Sequence, residues 1–125
     1  MKRINAAVVV ALALLAGLAY VRIGDLNGDG FGDIAAGANG FDVEMGNDGA
    51  AFVWFGSRTF DTTVDRQYPG DQLDGRMGVS IAGVGDVNGD GFSDVAVGAP
   101  NFDGPGQNQT NGGAVFVFFG RATGP

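Results

Sequence analysis

The chain has 125 residues, a net charge of −7, and neither cysteine nor histidine. The length suits one ordinary domain, and the acidic balance argues against nucleic acid and anionic membranes as partners. Without Cys or His there is no disulfide framework, no thiolate, no usual zinc ligand and no Ser–His or Cys–His nucleophile, so no catalysis is expected.

At the N-terminus, Lys2 and Arg3 precede a mostly apolar, uncharged stretch from Ile4 to Val21. A basic start, an apolar centre and small residues at Gly17 and Ala19 predict a signal peptide over residues 1–19. A membrane anchor needs about 20 apolar residues, so this run is marginal as one. An uncleaved anchor and a buried strand or helix are the alternatives. The signal peptide implies a secreted or cell-surface protein without a membrane span.

Next comes an internal repeat. Residues 23–38 align without a gap with residues 84–99, an offset of 61. Gly49 to Gly56 then align with Gly113 to Gly120 at an offset of 64, so the second intervening loop is three residues longer. The 24 glycines cluster between short apolar runs, as in an all-β chain with many tight turns. Ala50 to Phe55, Met77 to Val84, Asp94 to Gly98 and Ala114 to Phe119 read as strands. Alternate residues of Ala114 to Phe119 are apolar on both faces, and those of Ala50 to Phe55 likewise. Such strands are expected to be buried on both sides, as in stacked sheets or propeller blades. Ala16 to Ile23 stands at the offset of Met77 to Val84, so a cut after Ala19 would remove half of that first strand.

Each repeat carries a nine-residue loop, and the two loops hold six of the 14 acidic residues. Oxygen side chains stand at positions 1, 3, 5 and 9: Asp25, Asn27, Asp29 and Asp33 in the first loop, and Asp86, Asn88, Asp90 and Asp94 in the second. Ca²⁺ takes about 6–8 oxygen ligands, and alternate side chains of a tight turn point at one centre. Gly30 and Gly91 at position 6 supply the bend. Phe31 and Phe92 at position 7 would offer their backbone carbonyls, with the rings free to anchor the loops in the core. An EF-hand closes with Glu at position 12 and is flanked by helices. Position 12 here is Ala36 or Val97, and the residues after position 9 read as a strand. One Asn-Gly or Asp-Gly turn would read as a plain hairpin; two matched sets of four oxygens read as two Ca²⁺ sites. The loops lie 61 residues apart and share no ligand, so they are expected to act independently.

Loop, Gly98-Ala99-Pro100 turn and aromatic strand ending in Gly together resemble FG-GAP repeats, the blade unit of integrin-α-type β-propellers. Met77-Gly78 stands where Phe-Gly is usual, and Asn39 replaces the Pro of the first copy. The resemblance implies an all-β fold, a partial β-propeller of two FG-GAP blades with Ca²⁺-binding loops between strands. Repeat 1 spans residues 20–76 and a truncated repeat 2 spans 77–125. It also implies a secreted, calcium-binding protein of adhesion or protein interaction. Its partners would be other FG-GAP blades, itself, or an extracellular protein ligand. A fragment or accessory part of a secreted hydrolase, or a truncated gene product, is the alternative. Bare outer faces, including some of Phe52, Trp54, Phe116 and Phe118, are expected to drive self-association. Asn108-Gln109-Thr110 is a glycosylation sequon. Asp65, Arg66, Asp71, Asp74 and Arg76 read as a solvated connection between repeats, and Trp54 as core.

Overall fold

The computed structural model describes residues 20–42, 46–59, 63–103 and 111–122. Residues 1–19, and with them the signal-peptide expectation, lie outside the described residues, as does the sequon at Asn108. Seven strands are present among the described residues: β1 (Tyr20–Gly24), β2 (Asp33–Ala38), β3 (Ala50–Trp54), β4 (Arg66–Pro69), β5 (Ser80–Gly85), β6 (Asp94–Ala99) and β7 (Ala114–Phe118). They form two antiparallel sheets, ordered β1-β2-β3-β4 and β5-β6-β7. The all-β blade architecture is therefore as expected. The repeat extends to backbone detail: the β1–β2 register slips between Arg22 and Gly24, and the β5–β6 register slips between Gly83 and Gly85.

One face of the first sheet packs on the second. Ile23, Leu26, Ala35, Ala51 and Val53 meet Met77, Val95, Val97 and Ala99 in one buried cluster, edged by Phe55, Tyr68, Phe116 and Phe118. Burying a Val or Ile of this set contributes about 1.5–3 kcal/mol. The alanines at its centre let the sheets approach closely. A close approach is seen at Gly37 of β2, where an added Cβ would lie 2.0 Å from the carbonyl oxygen of Gly78, just ahead of β5. Backbone cannot move aside cheaply, so Gly37→Ala should pry the two sheets apart. We expect a loss of about 1–3 kcal/mol in urea unfolding, while an unchanged midpoint would mean that the joint yields.

The other face of the first sheet holds Ala36, Ala50, Phe52 and Trp54, with Ile34, Phe41 and Val64 beside them. Phe52 is 0% and Trp54 1% exposed, so Trp54 is core as read from the sequence. Phe41 meets Phe52 edge-to-face at 5.4 Å, and Phe102 meets Phe116 likewise at 5.1 Å. These rings open the β2–β3 and β6–β7 hairpins.

Three expectations need correction. Strand β7 is not buried on both faces: Val115, Val117 and Phe119 are exposed, and only Phe116 and Phe118 turn to the core. The bare patch is thus formed by residues other than Phe52, Trp54, Phe116 and Phe118. The connection after the first aromatic strand is not merely solvated, because Arg66–Pro69 forms β4 on the edge of β3. Tyr68 stacks on Phe118 at 4.0 Å, and the Arg66 guanidinium lies 5.1 Å from the Phe55 ring centre. A four-residue strand ending in Pro69 carries too short a pattern to read, and Pro suits an edge because it has no N–H to donate. Finally, the strand expected over Met77 to Val84 begins only at Ser80; Met77 makes a lone bridge to Gly49.

Candidate metal loops

Both loops join the first two strands of their sheet, and they fold alike. In the first, Asp25 Oδ1 accepts the N–H groups of Gly28 (2.7 Å) and Asp29 (3.1 Å), and Oδ2 accepts that of Gly30 (2.9 Å). Asp86 does the same for Gly89, Asp90 and Gly91. Asp29 accepts Phe31 N–H and Asp90 accepts Phe92 N–H. Gly30 and Gly91 have φ of +87° and +92°, which a Cβ would resist. Position 9 holds the loop to the sheet. Asp33 Oδ2 accepts Leu26 N–H at 2.6 Å and Oδ1 accepts Gly56 N–H at 2.8 Å, a pair repeated by Asp94 with Val87 and Gly120.

Position 3 differs between the copies. Asn27 and Asn88 both donate through Nδ2 to the position-5 carboxylate at 3.1 Å. Asn88 is exposed, whereas Asn27 is only 7% exposed and its Oδ1 has no hydrogen-bond partner among the described residues. A buried amide oxygen without a donor costs about 1–3 kcal/mol. Turning the amide over would set that oxygen against the Asp29 carboxylate, an arrangement that only a cation between them would favour.

Electrostatics point the same way. Burial pushes the Asp33 carboxyl above its ordinary value; the Gly56 and Leu26 N–H groups oppose this, and the negative charges of Asp29 and Asp25 add to it. Asp86 is held below the ordinary value, chiefly by the Gly91 N–H.

No three Asp, Glu, His or Cys side chains close on one point among the described residues. The reason is visible in the hydrogen bonds: each carboxylate is turned onto backbone N–H groups of its own loop or, for Asp33 and Asp94, also of Gly56 and Gly120 just past β3 and β7. Asp29 and Asp33 each accept two, leaving further lone pairs for a cation. An all-oxygen donor set, carboxylates that repel one another and an orphaned amide oxygen fit a hard divalent ion. The rings at position 7 do not enter the core as expected. Phe31 is 38% exposed, and Phe92 lies against the first loop, where a Cβ on Gly28 would be 2.5 Å from its ring.

The loops are not apart in space. Ser93 N–H donates to the Asp25 carbonyl at 3.0 Å, and Arg121 N–H to the Leu26 carbonyl at 2.9 Å. The second repeat therefore roofs the first loop. Leu26 is 0% exposed, while Val87, its counterpart, is 56% exposed. Sequence spacing held no sign of this contact, which comes from the stacking of one blade on the next.

The FG-GAP repeat pattern matches residues 21–55 and 77–118, more than half of the chain. Integrin alpha-5 of Xenopus laevis is 38% identical over 105 residues, 80% of this chain and 10% of the relative. Human integrin alpha-7 is 36% identical over 115 residues, 89% of this chain and 9% of its own. A bovine phosphatidylinositol-glycan-specific phospholipase D is 35% identical over 126 residues, 84% of this chain and 14% of the enzyme. The chain thus spans about a tenth of the integrin relatives. Two matched repeats, each a sheet with its acidic loop between the first two strands, make this chain a member of the FG-GAP repeat family.

Proposed function

We propose that the chain is a calcium-stabilised pair of propeller blades acting in protein interaction or adhesion outside the cell, with one Ca²⁺ held by each loop. Asp25, Asn27, Asp29, the Phe31 carbonyl and Asp33 would hold the first ion. Asp86, Asn88, Asp90, the Phe92 carbonyl and Asp94 would hold the second. The observation that carries this reading is the unpaired, buried Oδ1 of Asn27 inside a loop of three carboxylates. Bound Ca²⁺ supplies positive charge that offsets their repulsion and ties each loop to its sheet. Kinship with integrin alpha chains supports an interaction role at the cell surface. Likeness to the phospholipase D favours a second reading, an accessory blade pair of a lipid-active enzyme. Among the described residues no helix is long and apolar enough to cross a membrane.

Calorimetry should register two Ca²⁺ per chain with Kd about 10⁻⁴–10⁻³ M, the range of extracellular modules. Mg²⁺ should bind more weakly, because it requires a tighter octahedron and keeps its water. Absence of Ca²⁺ heat at millimolar concentration would sink the calcium reading. Hydrolysis of a glycosyl-phosphatidylinositol substrate by the purified chain would sink its non-catalytic part.

A further inference from the structure

We infer that the two metal loops bind Ca²⁺ as a coupled pair, occupancy of each loop tightening the other through backbone tethers that join them. The inference rests on the reading that both loops bind Ca²⁺. Three successive residues of the second loop bear on the first. The Phe92 ring fills the space beside Gly28. Ser93 N–H holds the Asp25 carbonyl. Asp94 links inward and outward at once: its Oδ2 accepts Val87 N–H within its own loop, and its Oδ1 accepts Gly120 N–H. The next residue, Arg121, donates its N–H to the Leu26 carbonyl. Arg66 of β4 steadies that residue by donating from its guanidinium to the Arg121 carbonyl at 3.2 Å.

The carbonyls of Asp25 and Leu26 are the two peptide carbonyls between the Asp25 and Asn27 side chains, the first two oxygen positions of loop one. An ion in the second loop fixes residues 86–94, and so fixes the N–H groups that hold Asp25 and Leu26. The first loop then loses less conformational freedom when its own ion binds. The same tethers run in both directions, and linkage requires the two effects on affinity to be equal. Coupling of this kind has a sign: uptake is positively cooperative.

Calcium calorimetry on the full chain and four variants tests it. Asp29→Ala leaves only the second loop able to fill, and Asp90→Ala only the first; neither change removes the Ser93 or Arg121 N–H or the carbonyl that each holds. Each remaining site should bind about 5- to 10-fold more weakly than the same site in the intact chain, by the same factor in both variants. Equal affinities in intact and single-loop chains would overturn the coupling. Arg121→Pro removes one tether N–H and keeps every loop oxygen, so the decision stands even if Asp90→Ala does not fold. It should still take up two ions, but with cooperativity lost, whereas Arg121→Ala, which keeps the N–H, should retain it. Two ions bound with cooperativity intact in Arg121→Pro would also overturn the proposal. An intact chain that binds no Ca²⁺ would instead remove the reading beneath it, a result distinct from two independent sites.

Discussion

Asp33→Ala is expected to cost about 3–5 kcal/mol even without Ca²⁺, a large part of the stability of a domain this size. Asp33 is 0% exposed and ties two backbone donors that have left water, Leu26 N–H and Gly56 N–H. Removing it strands both, at about 1–3 kcal/mol each. Relief from burying its charge, whose ionisation is already disfavoured, returns part of that loss. Asp29→Ala makes the contrast. Asp29 is exposed, and its partners are Phe31 N–H and the Asn27 amide. Its loss should cost less than about 1 kcal/mol in chelator. With Ca²⁺ at 100 times Kd, however, an intact site gains about 2.7 kcal/mol, and Asp29→Ala should forgo the gain of its own loop. Urea unfolding of both variants, in chelator and in excess Ca²⁺, separates the two roles. An Asp33→Ala chain as stable as wild type in chelator would show that position 9 does not anchor the loop.

The division of labour between those carboxylates was only half legible in the sequence. Spacing at positions 1, 3, 5 and 9 marks both as candidate ligands, because alternation in a tight turn shows in a single line of residues. The anchoring duty of Asp33 did not show, since its partner Gly56 lies 23 residues away on the far side of β3. Repeats, strands β2, β3, β6 and β7, and the core place of Trp54 were readable because they are written in local periodicity. Strand β4 was not, because Arg66-Gln67-Tyr68-Pro69 has no alternation and its ring contacts, Tyr68 on Phe118 and Arg66 on Phe55, cross between or within sheets. Whether an apolar face is covered depends on what stacks against it. Hence β3 and β7, with nearly the same pattern, differ wholly in burial: every residue of β3 is buried and none of β7 is fully so.

That difference sets the other large expectation, which concerns association. Val84, Val115 and Val117 stand where Ile23, Ala51 and Val53 stand in the first repeat. In the first repeat these positions form the buried joint between the sheets. In the second they are 39%, 70% and 44% exposed, with Phe119 at 54% beside them. The patch is thus the joint surface of a blade with no blade laid on it among the described residues. β7 also lacks there the fourth strand that β4 provides for β3, and an open strand edge adds unpaired N–H and C=O groups. The face suited to cover it would present residues like Ile81, Val95, Val97, Phe116 and Phe118. Their counterparts in the first repeat, Ala36, Phe52 and Trp54 among them, are already buried, so a second copy cannot stack head to tail and build a ring. Alone, the chain should pair patch against patch, in a two-fold dimer. Light scattering after size exclusion in excess Ca²⁺ should therefore give a mass well above 12.7 kDa at micromolar concentration. Val117→Asp would bury a charge in that contact, costing several kcal/mol, so it should weaken association at least about 100-fold and return the monomer. Calcium uptake should survive, because Val117 contributes no loop oxygen. A wild-type chain that stays monomeric across a dilution series, unfolding cooperatively, would show that the exposed valines and Phe119 are tolerated in water and that no blade is needed to cover them.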